Sequence, residues 1–524
     1  MIEKPEYHHH EEFRNRSRKL EEIKEMGIDP YPAKYEPKQL IDAVLKQYDK
    51  EELADSHAAA EGTTPLTSVV GRLVLFRAMG KNIFAQLQEG NARIQVMFNR
   101  ELTKVVGLDP NGEETALKFL EKKCDLGDFL GVEGHLFRTQ RGELTLYAKD
   151  VQLLCKTLLP LPEKHAGLID KELRYRKRWL DLLSNPPVYN TFLQRSQLLA
   201  GIRRYFLQHR FMEVETPTLQ NCYGGASAKP FTTTLNALDK QEMFLRISLE
   251  IPLKQLIVGG MDRIFEMGKV FRNEGIDKNH NPEFTMLEAY ASYWDYNDMM
   301  SFVEKLFETL AMELYNTTQI AHTLSDGSEV IVDVKAPWIR MTMIDSIKHY
   351  GKLDVDTMTT EAIADYICKE CSVDPKEVRK KARGNLISML FEEIVEPHLI
   401  QPHHIIDHPI ETTPLCKPHR DPEARKKGLV ERFESYILNH EICNSYTELN
   451  DPVLQRELLE DQARKKEEGD EEANPLDEEF IEAICQGLPP TAGIGIGIDR
   501  LVMILTNSTS IRDVLYFPVM KPQS

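Results

Sequence analysis

A pair of alternating segments joined by a polar connection restricts the fold of this chain most. RIFEMGKVF (263–271) and FTMLEAYASY (284–293) alternate as strands do, and GIDKNHNPE (275–283) between them is rich in polar and turn-forming residues. Such a connection between two strands is typical of an antiparallel hairpin. The sequence therefore predicts two neighbouring antiparallel strands over these residues.

The predicted hairpin gathers charged side chains on one face. Because successive side chains of a strand point to opposite faces, Arg272 and Glu274 are predicted to share a face of the first strand. The corresponding set on the second strand is Phe284, Met286, Glu288 and Tyr290. A charged face on a strand pair is either a solvated outer face or the floor of a polar site, and these residues alone leave both interpretations open.

Length and composition indicate a multidomain globular protein. The chain has 524 residues, of which 41% are apolar and 28% charged, and this length predicts two or three domains. No run approaches the roughly 18 apolar residues that span a membrane. The N-terminal MIEKPEYHHHEEFRNR contains no apolar signal region, so we expect a cytoplasmic protein with no membrane partner.

Cysteine usage and net charge argue against two further classes of protein. Eight scattered cysteines favour free thiols in a reducing compartment over a disulfide framework. Cys368 and Cys371 have CxxC spacing without a second such pair, and we expect ordinary thiols there. A net charge of −18 argues against indiscriminate nucleic-acid binding, although it leaves room for local basic surfaces.

Changes of texture along the sequence predict the domains. Five short strand-like runs between residues 67 and 155 suit a small barrel of the oligonucleotide-binding type. Beyond a proline-punctuated boundary, strands and helices are mixed, which predicts an α+β domain. The predicted boundaries are 1–65 for an N-terminal helical extension, 66–157 for the barrel, 158–190 for a linker and 191–524 for the larger domain, in which 342–400 is a helix-rich insertion.

Two polar clusters suggest a phosphate site. In the hairpin, the planar guanidinium of Arg272 can clamp a phosphate and stabilise charge that develops during phosphoryl transfer. The segment TAGIGIGIDRLVMIL (491–505) does not meet the GxGxxG pattern and is better interpreted as a glycine-rich strand that lets a ligand approach closely. A helix then begins near Asp499 and Arg500. A surface ion-pair network remains the alternative for the hairpin arginine.

A third cluster is acidic and suggests a metal. Glu434, Glu441 and Glu448 recur every seven residues in a segment that reads as strand, turn and strand. Carboxylates near a phosphate clamp suggest Mg²⁺, which prefers one or two carboxylates together with substrate oxygens. Solvated surface acids are the alternative interpretation.

At these three clusters the chain resembles the class II aminoacyl-tRNA synthetases, and specifically the lysyl-tRNA synthetases of the bacterial type. FRNEG…HNPEFTMLEAY is similar to the family's second motif, GIGIGIDRLVMILTNSTSIRDVLYFP to its third, and RSQLLAGIRRYFLQHRFMEVETPTL (195–219) to its first. The resemblance runs from the helix near residue 11 to residue 520. It implies an antiparallel catalytic sheet flanked by helices, an N-terminal five-stranded barrel that reads the anticodon, and a homodimer built by the first motif.

The resemblance also implies the reaction. Lysine is activated with ATP to lysyl-adenylate, and the lysyl group is then transferred to the 3′-terminal adenosine of tRNA(Lys), with release of AMP and pyrophosphate. ATP is a substrate and Mg²⁺ the cofactor. No protein nucleophile is required, because positioning and electrostatic stabilisation suffice for such a transfer.

Roles for individual residues follow from the same resemblance. Arg272 and Arg500 are the implied catalytic residues, with Arg272 on the α-phosphate and Arg500 against adenine and the γ-phosphate. The implied ATP site consists of Arg272, Glu274, His280, Asn281, Phe284, Glu434, Glu441 and Arg500, with Glu434 and Glu441 as the magnesium ligands. The implied lysine site consists of Glu250, Glu288, Tyr290, Asn444, Tyr446 and Glu448.

Within the implied lysine site, Glu250 meets the α-amino group and Glu448 the ε-ammonium group. An ammonium in a desolvated pocket needs a carboxylate partner, and losing it costs on the order of 3–5 kcal/mol. Tyr446 stands where the family more often has phenylalanine, and its extra hydroxyl can reach the substrate or a water.

In the predicted barrel, the resemblance implies anticodon readers. Phe84 is expected to stack on an unpaired base, and Arg77, Gln95 and Glu143 are expected to form hydrogen bonds with uridines. Without the resemblance, the alternative is that Phe84 belongs to the barrel core.

Three rival functions differ in features that the sequence can address. A specificity for aspartate or asparagine would require a pocket suited to an acid or an amide, where this chain has Glu448. A paralogue that lysylates a translation factor would resemble only the catalytic domain. A regulatory protein without catalysis would be expected to lose Arg272, Arg500 or the acids, and all are present.

Overall fold

Two compact units make up the chain, residues 1–189 and residues 190–524. The computed structural model describes residues 5–162, 168–324, 326–371, 373–468 and 473–523. Each unit has its own apolar core. None of the described helices is long and apolar enough to cross a membrane.

The first unit contains a closed barrel. Its helices and strands are α1 (Glu11–Glu25), α2 (Ile41–Gln47), α3 (Ser56–Ala60), β1 (Leu66–Met79), β2 (Asn82–Glu89), β3 (Ala92–Asn99), β4 (Lys104–Val105), α4 (Ala116–Lys123), β5 (Phe129–Arg138), β6 (Leu144–Cys155), α5 (Lys171–Arg176) and α6 (Arg178–Ser184). Strands β3-β2-β1-β5-β6 form consecutive antiparallel pairs, and a parallel pairing of β3 with β6 closes the barrel. The five-stranded barrel predicted from the sequence is confirmed.

Alternation along the strands explains the barrel core. In β2, Ile83, Ala85 and Leu87 are buried, and Phe84 and Gln86 between them are only half-buried. Since alternate residues face opposite sides of a strand, the buried set points into the barrel and the other set lies on its outer surface.

The described part of the predicted linker is folded. Residues 171–184 form α5 and α6. The Asp170 carboxylate caps α5 by accepting from two backbone N–H groups, and the buried Asp181 pairs with Arg178 at 2.6 Å and Arg174 at 2.9 Å. Capping and a buried ion pair therefore order a segment that its composition suggested was a simple connection.

The second unit is built on a large sheet. Its elements are α7 (Pro186–Gln208), β7 (Met212–Glu213), β8 (Leu219–Gln220), β9 (Thr232–Leu235), β10 (Gln241–Leu245), α8 (Glu250–Val258), β11 (Arg263–Phe271), β12 (Glu283–Ser292), α9 (Tyr296–Tyr315), β13 (Gln319–Thr323), β14 (Glu329–Asp333), β15 (Ile339–Thr342), α10 (Met343–Ser346), α11 (Thr360–Glu370), α12 (Pro375–Val378), α13 (Arg383–Ile394), β16 (His403–Ile406), α14 (Pro422–Lys426), β17 (Arg432–Ile437), β18 (His440–Thr447), α15 (Pro452–Glu467), α16 (Glu478–Cys485), β19 (Thr491–Gly497), α17 (Ile498–Leu505) and α18 (Ile511–Val514).

The large sheet has the strand order β15-β16-β17-β18-β19-β12-β11-β7. Its central strands are antiparallel, and only the edge pairs β15–β16 and β11–β7 are parallel. The predicted hairpin is the antiparallel pair β11–β12. Arg272 and Glu274, however, lie beyond the end of β11 and are not strand residues, because the chain leaves the regular ladder at Phe271.

The two faces of the sheet differ in chemistry. On β12, Leu287, Ala289 and Ala291 belong to the apolar core that includes residues of α7, α9 and α17. On β19, Ile494 and Ile496 join the same core. The glycines between them face the opposite side, so the alternating Gly and Ile residues form one packed face and one open face, as the sequence indicated.

The helix-rich segment 342–400 has an apolar cluster of its own. Helices α10, α11 and α13 supply most of its buried side chains, and Ile405 and Tyr436 of the sheet complete it. The high helix content expected of this segment is confirmed. Its status as an insertion stays a prediction.

Candidate active site

A cleft of about 430 Å³ lies over the open face of the large sheet. Alternate side chains of β12, β18 and β19 line it, together with residues from the connection after β11 and from α8. All fourteen residues predicted for the lysine and ATP sites line this cleft, namely Glu250, Arg272, Glu274, His280, Asn281, Phe284, Glu288, Tyr290, Glu434, Glu441, Asn444, Tyr446, Glu448 and Arg500. The structure therefore brings together groups that are up to 250 residues apart in the sequence.

Glycines on β19 make room for this cleft. A Cβ atom at Gly493 would overlap the Glu448 carboxylate and the Tyr290 ring. At Gly495 the nearest heavy atom, Cγ of Glu288, would lie 3.8 Å from such a Cβ, which is an ordinary contact. Gly493 is thus required where two pocket side chains cross the strand backbone.

Three arginines line the cleft, and the two that were predicted to contact ATP, Arg272 and Arg500, are both held by the protein. Arg272 donates from Nε to the Ile247 carbonyl at 3.3 Å, and its Cζ lies 5.2 Å from the centre of the Phe284 ring. Arg500 donates from Nη1 to the Glu441 carbonyl at 2.7 Å and from Nη2 to His280 Nε2 at 3.2 Å. Oriented guanidinium groups of this kind suit a phosphate chain.

The connection between β11 and β12 is fixed by its own polar groups. His280 Nδ1 bonds to the Asp277 carboxylate at 2.9 Å. The Asn281 amide donates to the Glu283 carbonyl at 2.6 Å and accepts from the Val519 N–H at 3.1 Å. Asn281 therefore ties the connection to the C-terminal segment, and Glu274 lies exposed at the edge of the cleft.

Several acids gather near the arginines. Glu434 accepts from Arg432 at 2.5 Å and from the Tyr436 hydroxyl at 2.7 Å, and Glu441 lies 3.5 Å from Arg500. Burial and then the charge of Glu434 raise the pKa of Glu441. Burial and neighbouring carboxylates also raise the pKa of Glu396, to about 7.

These acids fit a magnesium ion. Carboxylates that repel one another in a buried cluster are stabilised by a cation, and Glu434 and Glu441, unlike Glu396, line the cleft. Two protein carboxylates plus substrate oxygens are what Mg²⁺ prefers. In the described part of the chain no group of three or more His, Cys, Asp or Glu side chains is arranged to hold a metal ion, so such an ion would depend on phosphate oxygens as well.

The other end of the cleft holds a buried cluster of charges. Glu250 and Glu448 both form an ion pair with the ammonium of Lys254, at 2.5 Å in the case of Glu250. All three side chains are almost fully buried. The two acids and the favourable i, i+4 placement of Glu250 and Lys254 on α8 raise the pKa of Lys254 against the opposing effect of burial.

Tyr446 supports Glu250 in this cluster. Its hydroxyl lies 2.7 Å from each carboxylate oxygen of Glu250. The hydroxyl that distinguishes Tyr446 from phenylalanine is therefore bonded to a protein acid. Asn444, also predicted for this site, accepts from Arg432 Nε at 3.0 Å.

Glu288 forms part of the floor between the two ends. Its carboxylate accepts from the Leu249 N–H at 2.8 Å and from the Tyr290 hydroxyl at 3.0 Å. Burial, and next the charge of Glu250, raise the pKa of Glu288 to about 7. Its charge consequently depends on pH in the neutral range.

Three side chains near the site received no role in the sequence analysis, although Asp499 was placed at the start of a helix. Lys254 is one, and its spacing of four from Glu250 was the available signal. The others are Arg195 and Asp499, whose buried ion pair at 2.7 Å connects α7 to the start of α17. Asp499 also accepts from the Thr285 N–H at 2.7 Å, so it joins three segments just before Arg500.

The predicted anticodon readers lie on the barrel of the first unit. Arg77 and Phe84 are direct partners in the β1–β2 pairing, and Gln95 Nε2 donates to Thr145 at 2.9 Å. Glu143 is exposed just before β6. Phe84 is not in the barrel core; its half-buried ring packs on an outer cluster of Ala59, Met97, Phe137 and Tyr147.

Comparisons with known proteins find two matching families. Residues 170–521 match the family described as tRNA synthetases class II (D, K and N), and residues 67–154 match the family described as OB-fold nucleic acid binding domain.

Similar proteins extend over almost the whole chain. A lysine–tRNA ligase of Chlamydia pneumoniae is 55% identical over 523 residues, which cover 99% of this chain and 98% of that protein. A lysine–tRNA ligase of Nostoc punctiforme is 44% identical, with 97% of this chain and 87% of the relative covered. One from Clostridium perfringens is 42% identical, with coverage of 97% and 96%.

Proposed function

The chain belongs to the lysine–tRNA ligase family of class II tRNA synthetases, and we propose that it joins lysine to tRNA(Lys) in two steps at the sheet cleft. Lysine and ATP first give lysyl-adenylate and pyrophosphate. The lysyl group then passes to the 3′-terminal adenosine of tRNA(Lys), and AMP is released. The observation that carries the proposal is a cleft with a buried pair of acids, Glu250 and Glu448, at one end and two arginines at the other.

Lysine binds at the acidic end of the cleft. Glu448 accepts the ε-ammonium group and Glu250 the α-amino group, with Glu288, Tyr290, Asn444 and Tyr446 around them. Glu448 Oε1 is buried and has no hydrogen-bond partner among the described residues, so it is available to a substrate ammonium. An uncharged side chain would leave that acid unpaired, which is an effective basis for discrimination.

ATP binds at the arginine end. Arg272 contacts the α-phosphate, where negative charge develops as the lysine carboxylate attacks and pyrophosphate leaves in line. Phe284 and Arg500 face the two sides of adenine, Arg500 also reaches the γ-phosphate, and Glu274, His280 and Asn281 border the nucleotide. Glu434 and Glu441 hold Mg²⁺, which when bound neutralises charge on the phosphates. No side chain forms a covalent bond with the substrate, since fixed geometry and charge stabilisation suffice.

The barrel, with boundaries at 66–157, reads the anticodon. Phe84 is exposed enough on the outer surface to stack on a base, and Arg77, Gln95 and Glu143 donate and accept hydrogen bonds around it. The catalytic domain spans 191–524 with 342–400 as an insertion, and 1–65 and 158–190 are the N-terminal extension and the connecting segment.

The active form is a homodimer formed through α7. Leu193, Ala200 and Leu207 are exposed and spaced by seven residues, so they lie along one stripe of the helix. Exposed apolar stripes of this kind mark protein contacts. Leu207→Glu is expected to convert the dimer to a monomer in light scattering. The protein works in the cytoplasm, where its free thiols stay reduced.

Rival functions differ in the pocket they require. Aspartate and asparagine, the other amino acids named in the description of the matched family, would be repelled by or poorly matched to the buried Glu250 and Glu448. A protein that lysylates a translation factor would not need the barrel at 67–154. A regulatory protein without catalysis would not need Arg272 and Arg500 held at the cleft.

Pyrophosphate exchange into ATP tests the proposal. Each of the twenty amino acids is assayed without tRNA, and lysine alone is expected to support exchange. Glu448→Gln is expected to lower kcat/KM for lysine roughly 10²–10³-fold while ATP binding is retained, because the ammonium loses its ionised partner. Exchange driven by another amino acid, or by none, would refute the assignment.

A further inference from the structure

A buried lysine of the protein itself lies behind the proposed lysine pocket, between two of the acids that line it. The Lys254 ammonium bridges Glu250 and Glu448, and the rings of Tyr446 and Phe480 lie 5.5 and 5.8 Å from it. The side chain has no exposed surface. A buried charge is costly, and an apolar residue usually serves packing at least as well, so packing alone does not account for a lysine here.

We propose that Lys254 is a positioning residue that sets the specificity of the pocket, by holding Glu250 and Glu448 as an ionised pair to which the substrate's ammonium groups bind. The inference deepens the proposed lysine activation and rests on it. Lys254 acts through the two acids and needs no contact with the reacting atoms.

The charge balance of the cluster supports this role. Burial raises the pKa of Glu448, and the charge of Lys254 opposes that rise. When both acids are ionised, two carboxylates and one ammonium leave one unbalanced negative charge, which an incoming ammonium can neutralise. Without Lys254, two carboxylates would share a pocket with little water, and one of them would take up a proton at neutral pH. A protonated acid binds an ammonium poorly, so loss of Lys254 would weaken the site for lysine.

The geometry leaves one acceptor open for the substrate. Glu250 is already bonded to Lys254 and to the Tyr446 hydroxyl. Glu448 is held by Lys254 on one side, and its Oε1 has no hydrogen-bond partner in the described part of the chain. Gly493 lets this oxygen lie directly against the strand backbone at the cleft. Lys254 thus orients Glu448 without using up its second oxygen.

Other titratable groups also face this cluster and will shape its pH dependence. They come from β12, β18 and the segment that pairs with Glu448, and they are Glu288, Tyr290, Tyr446 and Cys416. Because Glu288 titrates near pH 7, the useful quantity is the ratio of KM values between variant and wild type at each pH.

The test is lysine-dependent pyrophosphate exchange by the full chain with Lys254→Met. We expect the KM for lysine to rise about tenfold or more near pH 7, because burial beside a second acid can raise the pKa of a carboxyl group by up to about 3–5 units, which leaves it mostly protonated there. The ratio to wild type should shrink as pH rises towards 9, where the acids ionise again. The KM for ATP should stay within about twofold, since the nucleotide end keeps its groups.

Matched variants separate charge from structure. Lys156→Met removes another buried lysine that bridges two acids, in the first unit, and should leave the KM for lysine unchanged. Lys254→Gln keeps polarity and approximate size without the charge, and should behave as Lys254→Met does.

Each remaining outcome is decisive. A folded Lys254 variant with an unchanged KM for lysine would overturn the inference. A pH-independent rise in the KM values for both lysine and ATP together with a fall in kcat would also overturn it. So would the failure of both Lys254 variants to unfold cooperatively, because either result indicates a purely structural role. If wild-type protein shows no exchange with lysine, the proposed function itself fails, and that result is distinguishable from all the others.

Discussion

Two buried lysines, each placed between two carboxylates, have different surroundings in the two units. In the first unit Lys156 contacts Asp125 at 2.5 Å and Asp128 at 2.8 Å. The other oxygen of Asp128 accepts from both the backbone N–H and the hydroxyl of Thr157, each at 2.8 Å. In the second unit Lys254 contacts Glu250 and Glu448.

The two clusters differ in whether every carboxylate oxygen has a partner. Asp128 has partners on both oxygens, and no residue of its cluster is among those that line the cleft. Glu448 lines the cleft and keeps one oxygen without a hydrogen-bond partner among the described residues. The first cluster also includes Lys19, which contacts Asp125 at 2.5 Å, so its two acids face two cations and its acceptors are used. The second cluster has one cation for two acids and leaves one acceptor open, where a further cation can bind.

Among the substitutions that test this difference between the clusters, Gly493→Ala is expected to have the largest effect on lysine activation. The added Cβ would overlap the Glu448 carboxylate and the Tyr290 ring, and displacing either should lower kcat/KM for lysine roughly 10- to 100-fold. Gly495→Ala is the matched control, because its Cβ would meet only ordinary contacts. Equal effects of the two substitutions in pyrophosphate exchange would show that Glu448 is not held as closely as the structure indicates.

A smaller effect is expected from Tyr446→Phe. The variant removes the hydroxyl that lies 2.7 Å from both oxygens of Glu250 but leaves Lys254 in place. Losing one hydrogen bond of about 1 kcal/mol should raise the KM for lysine roughly fivefold. The KM for ATP serves as the internal control, and a parallel rise in both constants would contradict a role confined to the lysine pocket.

The pH dependence of lysine binding should be smaller still. The pKa of Glu288 is raised to about 7, so its carboxyl group is mostly neutral at pH 6 and mostly ionised at pH 8. Free lysine keeps its positive side chain over this range. The KM for lysine should therefore fall about threefold as pH rises from 6 to 8, and Glu288→Gln should flatten the profile. A KM for lysine that rises with pH would contradict the proposal that ionised Glu288 favours lysine binding.

The smallest effect on lysine activation is expected from Lys156→Met. Asp125 keeps its ion pair with Lys19, but the fully buried Asp128 loses the cation that it contacts, so the first unit should lose about 3–5 kcal/mol of unfolding free energy. Exchange with lysine should stay unchanged, because the cleft residues all lie in the second unit. Thermal unfolding measures the loss of stability, and pyrophosphate exchange on the same preparation measures the KM for lysine. A changed KM for lysine would show that the Lys156 cluster also affects lysine binding, which contradicts the difference between the two clusters.

Much of the fold could be predicted from local patterns. Alternation marked β12 and β19, and the glycines at 493, 495 and 497 indicated an open strand face, because strand periodicity alone determines which side chains share a face. The family motifs then identified the side chains that line the cleft, from Glu250 to Arg500.

Other features depended on long-range contacts. Lys254 lies four residues from Glu250, a spacing that usually indicates a surface ion pair, and only the approach of Glu448 reveals its bridging role. Asn281 bonds to Val519, which is 238 residues away. The predicted strand position of Arg272 was wrong, because the chain leaves the ladder one residue earlier.

A crystal structure of the full chain with lysine and a non-hydrolysable ATP analogue tests the central claim most directly. The structure predicts that the ε-ammonium of lysine lies about 3 Å from Glu448 Oε1, with Lys254 still contacting the same carboxylate and the lysine carboxylate directed towards Arg272. Lysine bound with its ε-ammonium away from Glu448, or a Glu448 side chain turned out of the cleft, would contradict the claim that this open acid recognises the substrate.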